Sequence, residues 1–164
     1  MNKYGIVNPT QINKKPSSFR KISKTPFKVL DAPNLQDDFY LNLVDWSKQN
    51  VLGVALGSCI YLWDANTNKV CKFCDMAPQS TVTSIAWNTK GSHLSVGNSL
   101  GDVEIWDVNK SKKISSLYGH SARVTSIAWS SSILASGSRD KSILYRDIRE
   151  DSKKIVNRIL HHTQ

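Results

Sequence analysis

Six residues, Val-Thr-Ser-Ile-Ala-Trp, stand at positions 82–87 and return unchanged at 124–129. A looser copy, Leu41-Asn-Leu-Val-Asp-Trp46, precedes them, so tryptophans fall at 46, 87 and 129. Glycines keep step at Gly57, Gly97 and Gly137, each after a short apolar run. A second phrase follows each glycine: Tyr-Leu-Trp63-Asp64, Glu-Ile-Trp106-Asp107 and Leu-Tyr-Arg146-Asp147. The period is 40 to 43 residues. Such self-similarity constrains the fold strongly. One supersecondary unit cannot bury its apolar face alone, so it must stack on its neighbours.

The spacing is that of WD-repeat propeller blades. Short runs of Val, Ile, Thr and aromatics, broken by Gly, Asn, Asp and Ser, predict strands throughout. The first blade is expected from strands near 41–46, 51–56, 59–63 and 69–74, and the second from 82–87, 93–97, 102–107 and 113–117. The third uses 124–129, 133–137, 142–146 and 155–160. No segment of helical length has a 3.6-residue period, so the fold class is all-β. The implied layout is a disordered basic leader at 1–26, a lead-in at 27–40, and blades at 41–75, 80–118 and 120–160. Residues 161–164 then begin a cut-off fourth blade.

In such repeats a Gly-His, a Ser or Thr on the second strand, a turn Asp and the Trp hydrogen-bond within one blade. Blade three offers His120, Ser136 and Asp140, with Arg146 in place of the Trp. Blade two offers Ser95 and Trp106, but Leu100 stands where the Asp belongs and no Gly-His precedes it.

The net charge of +9 suggests a polyanion binder until it is mapped. Seven basic residues and no acidic one lie in residues 1–30, which leaves the remainder with fifteen basic against thirteen acidic. A nucleic-acid domain would carry its charge on the folded surface. Here it sits in a polar, proline-punctuated leader, which reads as a solvated tail. No run of eighteen apolar residues and no apolar N-terminal h-region occurs, so neither nucleic acid nor membrane is an expected partner. Three cysteines without an export signal read as reduced thiols of the nucleus or cytoplasm.

Cys71-Lys-Phe-Cys74 has metal-binding spacing, yet a structural zinc site needs four ligands and no second pair lies at a suitable distance. The odd separation also points the two side chains to opposite faces of a strand. His93 and the His161-His162 pair lack companion ligands. Neither metal nor cofactor is expected, and no nucleophile elbow, phosphate loop or HExxH points to an enzyme. Trp46, Trp87 and Trp129 recur at one point of each blade, which favours packing over an aromatic binding face. Asp37-Asp38 alone reads as a solvated acidic turn.

The run from Leu30 to Trp46, Leu-Asp-Ala-Pro-Asn-Leu-Gln-Asp-Asp-Phe-Tyr-Leu-Asn-Leu-Val-Asp-Trp, resembles the start of the propeller in Fizzy and Fizzy-related proteins. These are co-activators of the anaphase-promoting complex, a ubiquitin ligase. Gly119-His-Ser-Ala-Arg-Val124, Ser136-Gly-Ser-Arg-Asp140 and Tyr145-Arg-Asp-Ile-Arg149 resemble the same family, in which an Arg also replaces the WD Trp. Lys21-Ile-Ser-Lys-Thr-Pro-Phe-Lys28 and Gln36-Asp-Asp-Phe39 favour the Fizzy-related branch. The resemblance implies about three blades of a seven-bladed ring, no catalysis by the chain itself, and recognition of destruction-box and KEN degrons. The implied partners are ligase subunits and degron-bearing proteins such as cyclins.

By resemblance, Leu30, Asp31, Pro33 and Val54 belong to the destruction-box groove and Asp38 contacts the KEN motif. A carboxylate for the Arg and an apolar recess for the Leu suit an RxxL peptide. Thr25-Pro-Phe-Lys28 fits a proline-directed kinase pattern, which marks Thr25 as a phosphosite. Residues 1–19 hold no Asp-Arg-Phe-Ile-Pro-like docking run, and the ending His-Thr-Gln164 resembles the junction into a fourth blade. The expectation is a piece that does not activate a ligase alone. Its bare blade flanks should invite association. Phe27-Lys-Val-Leu30 alternates like an edge strand, which by resemblance completes the last blade; without that blade the segment is expected to be poorly ordered or docked elsewhere. A generic WD scaffold for another peptide and a cysteine-dependent enzyme are the alternatives.

Overall fold

The computed structural model describes residues 21–76, 78, 80–150 and 154–160. Its described residues form two units, divided after Asp31. In the first unit residues 21–31 are exposed and take up no strand, Phe27-Lys-Val-Leu30 included. Ser23 and Thr25 form a local turn there, with the Thr25 amide donating to Ser23 Oγ at 3.3 Å.

The second unit carries three four-stranded sheets, each a meander in chain order. Blade one comprises β1 (Val44–Trp46), β2 (Val51–Leu56), β3 (Cys59–Asp64) and β4 (Lys69–Asp75). Blade two comprises β5 (Val82–Trp87), β6 (His93–Asn98), β7 (Val103–Asp107) and β8 (Lys112–Leu117). Blade three comprises β9 (Val124–Ser130), β10 (Ile133–Ser138), β11 (Ile143–Asp147) and β12 (Asn157–Ile159). All pairings within a blade are antiparallel, as hairpins with short turns require. The first turn of each blade holds one residue in the left-handed region: Asn50 (φ 59), Gly91 (φ 74) and Ser131 (φ 53). Asn and Gly meet that demand at least cost.

The core lies between blades. One apolar cluster joins Leu43, Ala55, Ile60 and Leu62 of blade one to Val82, Ile85, Trp87 and Leu94 of blade two. A second joins Ala86, Val103, Ile105 and Leu117 to Val124, Ile127 and Leu134 of blade three. The inner strand β5, flanked by both neighbours, is buried at all six positions. Its sequence twin in β9 buries Val124 and Ile127 but exposes Ser126 and Ala128. Identical residues differ because only β5 has a blade on either side.

Specific hydrogen bonds tie the interfaces. Trp87 Nε1 donates to the Asp45 carbonyl at 3.2 Å, and Trp129 Nε1 donates to the Ala86 carbonyl at 3.3 Å. The Val124 carbonyl accepts from Thr83 Oγ1 at 2.6 Å and Ser84 Oγ at 2.8 Å.

Strand register corrects two expectations. Gly97 and Gly137 share one position, opposite Ser84 and Ser126, but in blade one Ala55 fills it and Gly57 lies beyond the strand in a turn. Ser95 lies opposite Ala86, whereas Ser136 lies opposite Ile127 and matches Val96. So Ser95 is not the second-strand serine of a within-blade network. It accepts from Trp129 Nε1 at 2.9 Å and thereby joins two blades. Trp106 likewise turns away, donating to Glu104 Oε2 at 3.0 Å.

Candidate functional site

In blade three the expected polar network forms. His120 bonds Asp140 Oδ2 through Nδ1 at 2.9 Å and Ser136 Oγ through Nε2 at 2.9 Å. Ser142 Oγ adds a donor to Asp140 Oδ1 at 2.6 Å. Burial pushes the Asp140 pKa up. The Ser142 hydroxyl, the Ser121 amide and His120 outweigh it and hold the carboxyl below its usual range. Burial lowers the His120 pKa despite Asp140.

A Ser-His-Asp chain is the geometry of a hydrolase triad. Here Ser136 is 0% exposed, so no substrate carbonyl reaches its hydroxyl and the network serves as a clamp within the blade. Arg146 lies beneath it, 1% exposed, with Nη2 donating to the Tyr118 carbonyl and Nε and Nη1 without protein partners.

The cysteine motif departs from the strand pattern, because a bulge in β4 sets Cys71 opposite Leu62 and Cys74 opposite Ile60, two residues apart on one face of β3. Cys71 is exposed and Cys74 buried, and burial pushes the Cys74 thiol up to about 12, which suppresses the thiolate a nucleophile needs.

Of the residues assigned by resemblance, Leu30, Asp31 and the phosphosite candidate Thr25 are exposed in the first unit. Pro33, Asp38 and Val54 lie in the second, Pro33 exposed and the other two half-buried. Val54, on β2, faces Val44 and Tyr61 across the sheet.

Asp38 has the most developed surroundings. Its Oδ1 accepts from the Tyr40 amide at 2.9 Å, and its Oδ2 meets Arg123 Nη1 at 3.2 Å. The Arg123 guanidinium sits 5.6 Å from the centre of the Tyr40 ring, a cation–π contact. Tyr40 and Arg123 then open onto a groove of about 740 Å³ that also includes Arg139, Lys141 and Tyr145. Sequence reasoning assigned none of these five to a site. Arg123 carried a signal, because Thr81 stands at the matching place before the other Val-Thr-Ser-Ile-Ala-Trp.

A family model described as the WDR19 first beta-propeller matches residues 29–159. The chain is 62% identical over 130 residues to Protein FIZZY-RELATED 1 of Arabidopsis thaliana, covering 79% of this chain and 27% of that protein. The chain belongs to the Fizzy-related family of WD-repeat propellers. Another relative is the APC/C activator protein CDH1 of Saccharomyces cerevisiae, 52% identical over 131 residues, covering 80% of this chain and 23% of that one. A chain in the crystal structure of the Mitotic Checkpoint Complex superposes with a TM-score of 0.83 at 36% identity, covering 94% of this chain and 48% of that one. This Fizzy-related chain thus spans under a third of the curated relatives it matches, among them the Dictyostelium discoideum anaphase-promoting complex subunit cdh1, at 19% of its length.

Proposed function

We propose that this chain is a degron-reading part of an anaphase-promoting complex co-activator. The identity of 50–62% to Fizzy-related proteins of Arabidopsis carries the reading. Its location would be nucleus and cytoplasm, and its role that of adaptor rather than catalyst. The partners would be ligase subunits and degron-bearing proteins such as cyclins.

The surface at Asp38 supports the KEN half of the reading. A KEN motif sets a Lys beside a Glu, and Asp38 and Arg123 offer the opposite charges 3.2 Å apart. An arriving peptide would exchange one internal ion pair for two intermolecular ones, at a rim where the pair is partly solvated and inexpensive to open. Arg139 and Lys141 add positive charge along the groove for an acidic flank of the degron.

The destruction-box half rests on resemblance alone, with Asp31 as the carboxylate for the degron Arg, and Leu30, Pro33 and Val54 as apolar contacts. Loss of one partner of a buried, hydrogen-bonded charge pair costs on the order of 2–5 kcal/mol. In a co-activator carrying these residues, Asp31→Ala should weaken destruction-box peptide binding at least about tenfold, with KEN binding much less changed. Asp38→Ala should do the reverse. Titration of both peptides against wild type and both variants tests this. Equal losses for both peptides would mean general destabilisation, and no loss in Asp31→Ala ends that assignment.

Thr25 is proposed as a proline-directed phosphosite. Phosphate there would place up to about two negative charges near Lys21, Lys24 and Lys28 in the chain. A cyclin-dependent kinase that leaves Thr25 unmodified disproves it.

A further inference from the structure

Cys71 and Cys74 both lie on β4, the outermost strand of blade one. In a regular strand their odd separation would send the two side chains to opposite faces. The bulge removes that obstacle. Lys72 pairs with Tyr61 and Cys74 with Ile60, so Phe73 has no partner on β3 and takes up the odd residue. Blade two holds the bulge from outside the sheet, with the Phe73 ring edge-on to Trp106 at 5.8 Å. Both thiols therefore share the face that carries Ile60 and Leu62, the face that packs on blade two.

The residues opposite them are two apart on β3, which sets the two cysteine Cα atoms roughly 7 Å apart. That is the upper limit for a disulfide, whose Cα atoms usually lie about 4.4–6.8 Å apart. It suits two sulfurs with an ion between them. The third thiol, Cys59, precedes Ile60 on β3 and so points to the other face. Among the described residues no group of three or more His, Cys, Asp or Glu gathers to hold a metal. Zinc, which takes four protein ligands in a structural site, is disfavoured, and hard cations do not select sulfur. Cys74 narrows the class further. Burial, then the charges of Glu104 and Asp75, push its thiol up to about 12, so an ion must displace a firmly held proton. Cu(I) is the soft ion that binds thiolate strongly and is satisfied by two of them.

We propose that Cys71 and Cys74 form a two-coordinate Cu(I) site at the outer edge of the interface between blades one and two. The ion enters from the side of exposed Cys71. Each sulfur forms one bond to copper, both thiol protons leave to solvent, and no electron is transferred. The product carries one negative charge, which the neighbouring Lys72 ammonium offsets in part, as it already favours the Cys74 thiolate.

The test is anaerobic titration of the 164-residue chain with Cu(I) under a non-thiol reductant, in competition with a chromophoric Cu(I) chelator. X-ray absorption on the loaded protein then counts the sulfurs around copper. One equivalent should bind, with two sulfur neighbours. Cys71→Ser and Cys74→Ser should each weaken binding at least about tenfold, the loss of one of two bonds, while Cys59→Ser binds like wild type. Should Cys74→Ser unfold by burying a hydroxyl, as circular dichroism would show, Cys74→Ala replaces it and buries no polar atom. Wild type that binds no more tightly than Cys71→Ser overturns the proposal, as does an affinity unchanged when Cys74 is replaced. Copper with three or more sulfur neighbours, or an equal loss in Cys59→Ser, overturns it as well.

Discussion

His120 is held by Asp140, Ser136 and Ser142 in a site closed to water, and this makes blade three sensitive to acid. Its folded pKa lies below the ordinary 6.5 because burial disfavours the charged ring. The unfolded chain therefore binds the proton more readily. Stability from this residue is complete above pH 6.5 and is lost as pH falls towards the lowered folded value. Asp140, held below 3.8, adds a loss of the same sign at lower pH. Melting temperature should fall as pH drops below about 6.5, and His120→Gln should flatten that slope, although at a lower stability throughout. An unchanged slope in the variant would remove His120 as its source. Arg146, also buried, leaves two nitrogens, Nε and Nη1, without protein partners, and among the described residues no carboxylate offsets the burial that lowers its pKa. Arg146→Met fills similar space without a charge. It should match or exceed wild-type stability, by up to about 3 kcal/mol, in denaturant unfolding. A loss of more than about 1 kcal/mol would show that the guanidinium is satisfied in solution.

Among the elements, β5 and β9 pose the sharpest comparison, being copies of one hexapeptide with different neighbours. A methyl at Gly97 would press on Val124 Cβ, which belongs to a packed strand and cannot swing aside. A methyl at Gly137 meets only the hydroxyl of exposed Ser126, which can rotate away. Gly97→Ala should cost about 1–3 kcal/mol of stability by overpacking, and Gly137→Ala much less. Paired denaturant titrations decide it. Equal costs at the two positions would mean that intrinsic strand propensity, rather than the neighbouring blade, sets the penalty. Trp87→Phe should lose about 1 kcal/mol with its hydrogen bond to Asp45, through an interface that remains apolar.

For the molecule as a whole, the second unit gains its core only where one sheet faces another, so stability is a sum over blade interfaces rather than over blades. Among the described residues the middle blade has two such interfaces and each of its neighbours one. In hydrogen exchange, amides of β5 and β6 should be the slowest, and those of β12, three residues long, among the fastest. Protection that is uniform across all three blades would mean that each sheet is stable by itself.

The sequence by itself determined the repeat, the twelve strands and the blade to which each belongs, because alternation and turn residues act locally and recur at a fixed period. It also determined His120, Asp140 and Ser136 as a set, since their spacing belongs to a known motif. What it did not determine was register, which is fixed across the sheet. Gly57 and Ser95 look in step along the chain, yet strand pairing moves each off the position it seemed to share. Nor could it show that Asp38 meets Arg123, 85 residues away, over the Tyr40 ring. That contact depends on where a lead-in segment lands relative to the third blade. The same hexapeptide is core in one blade and surface in the next, because burial belongs to the neighbour and not to the residue.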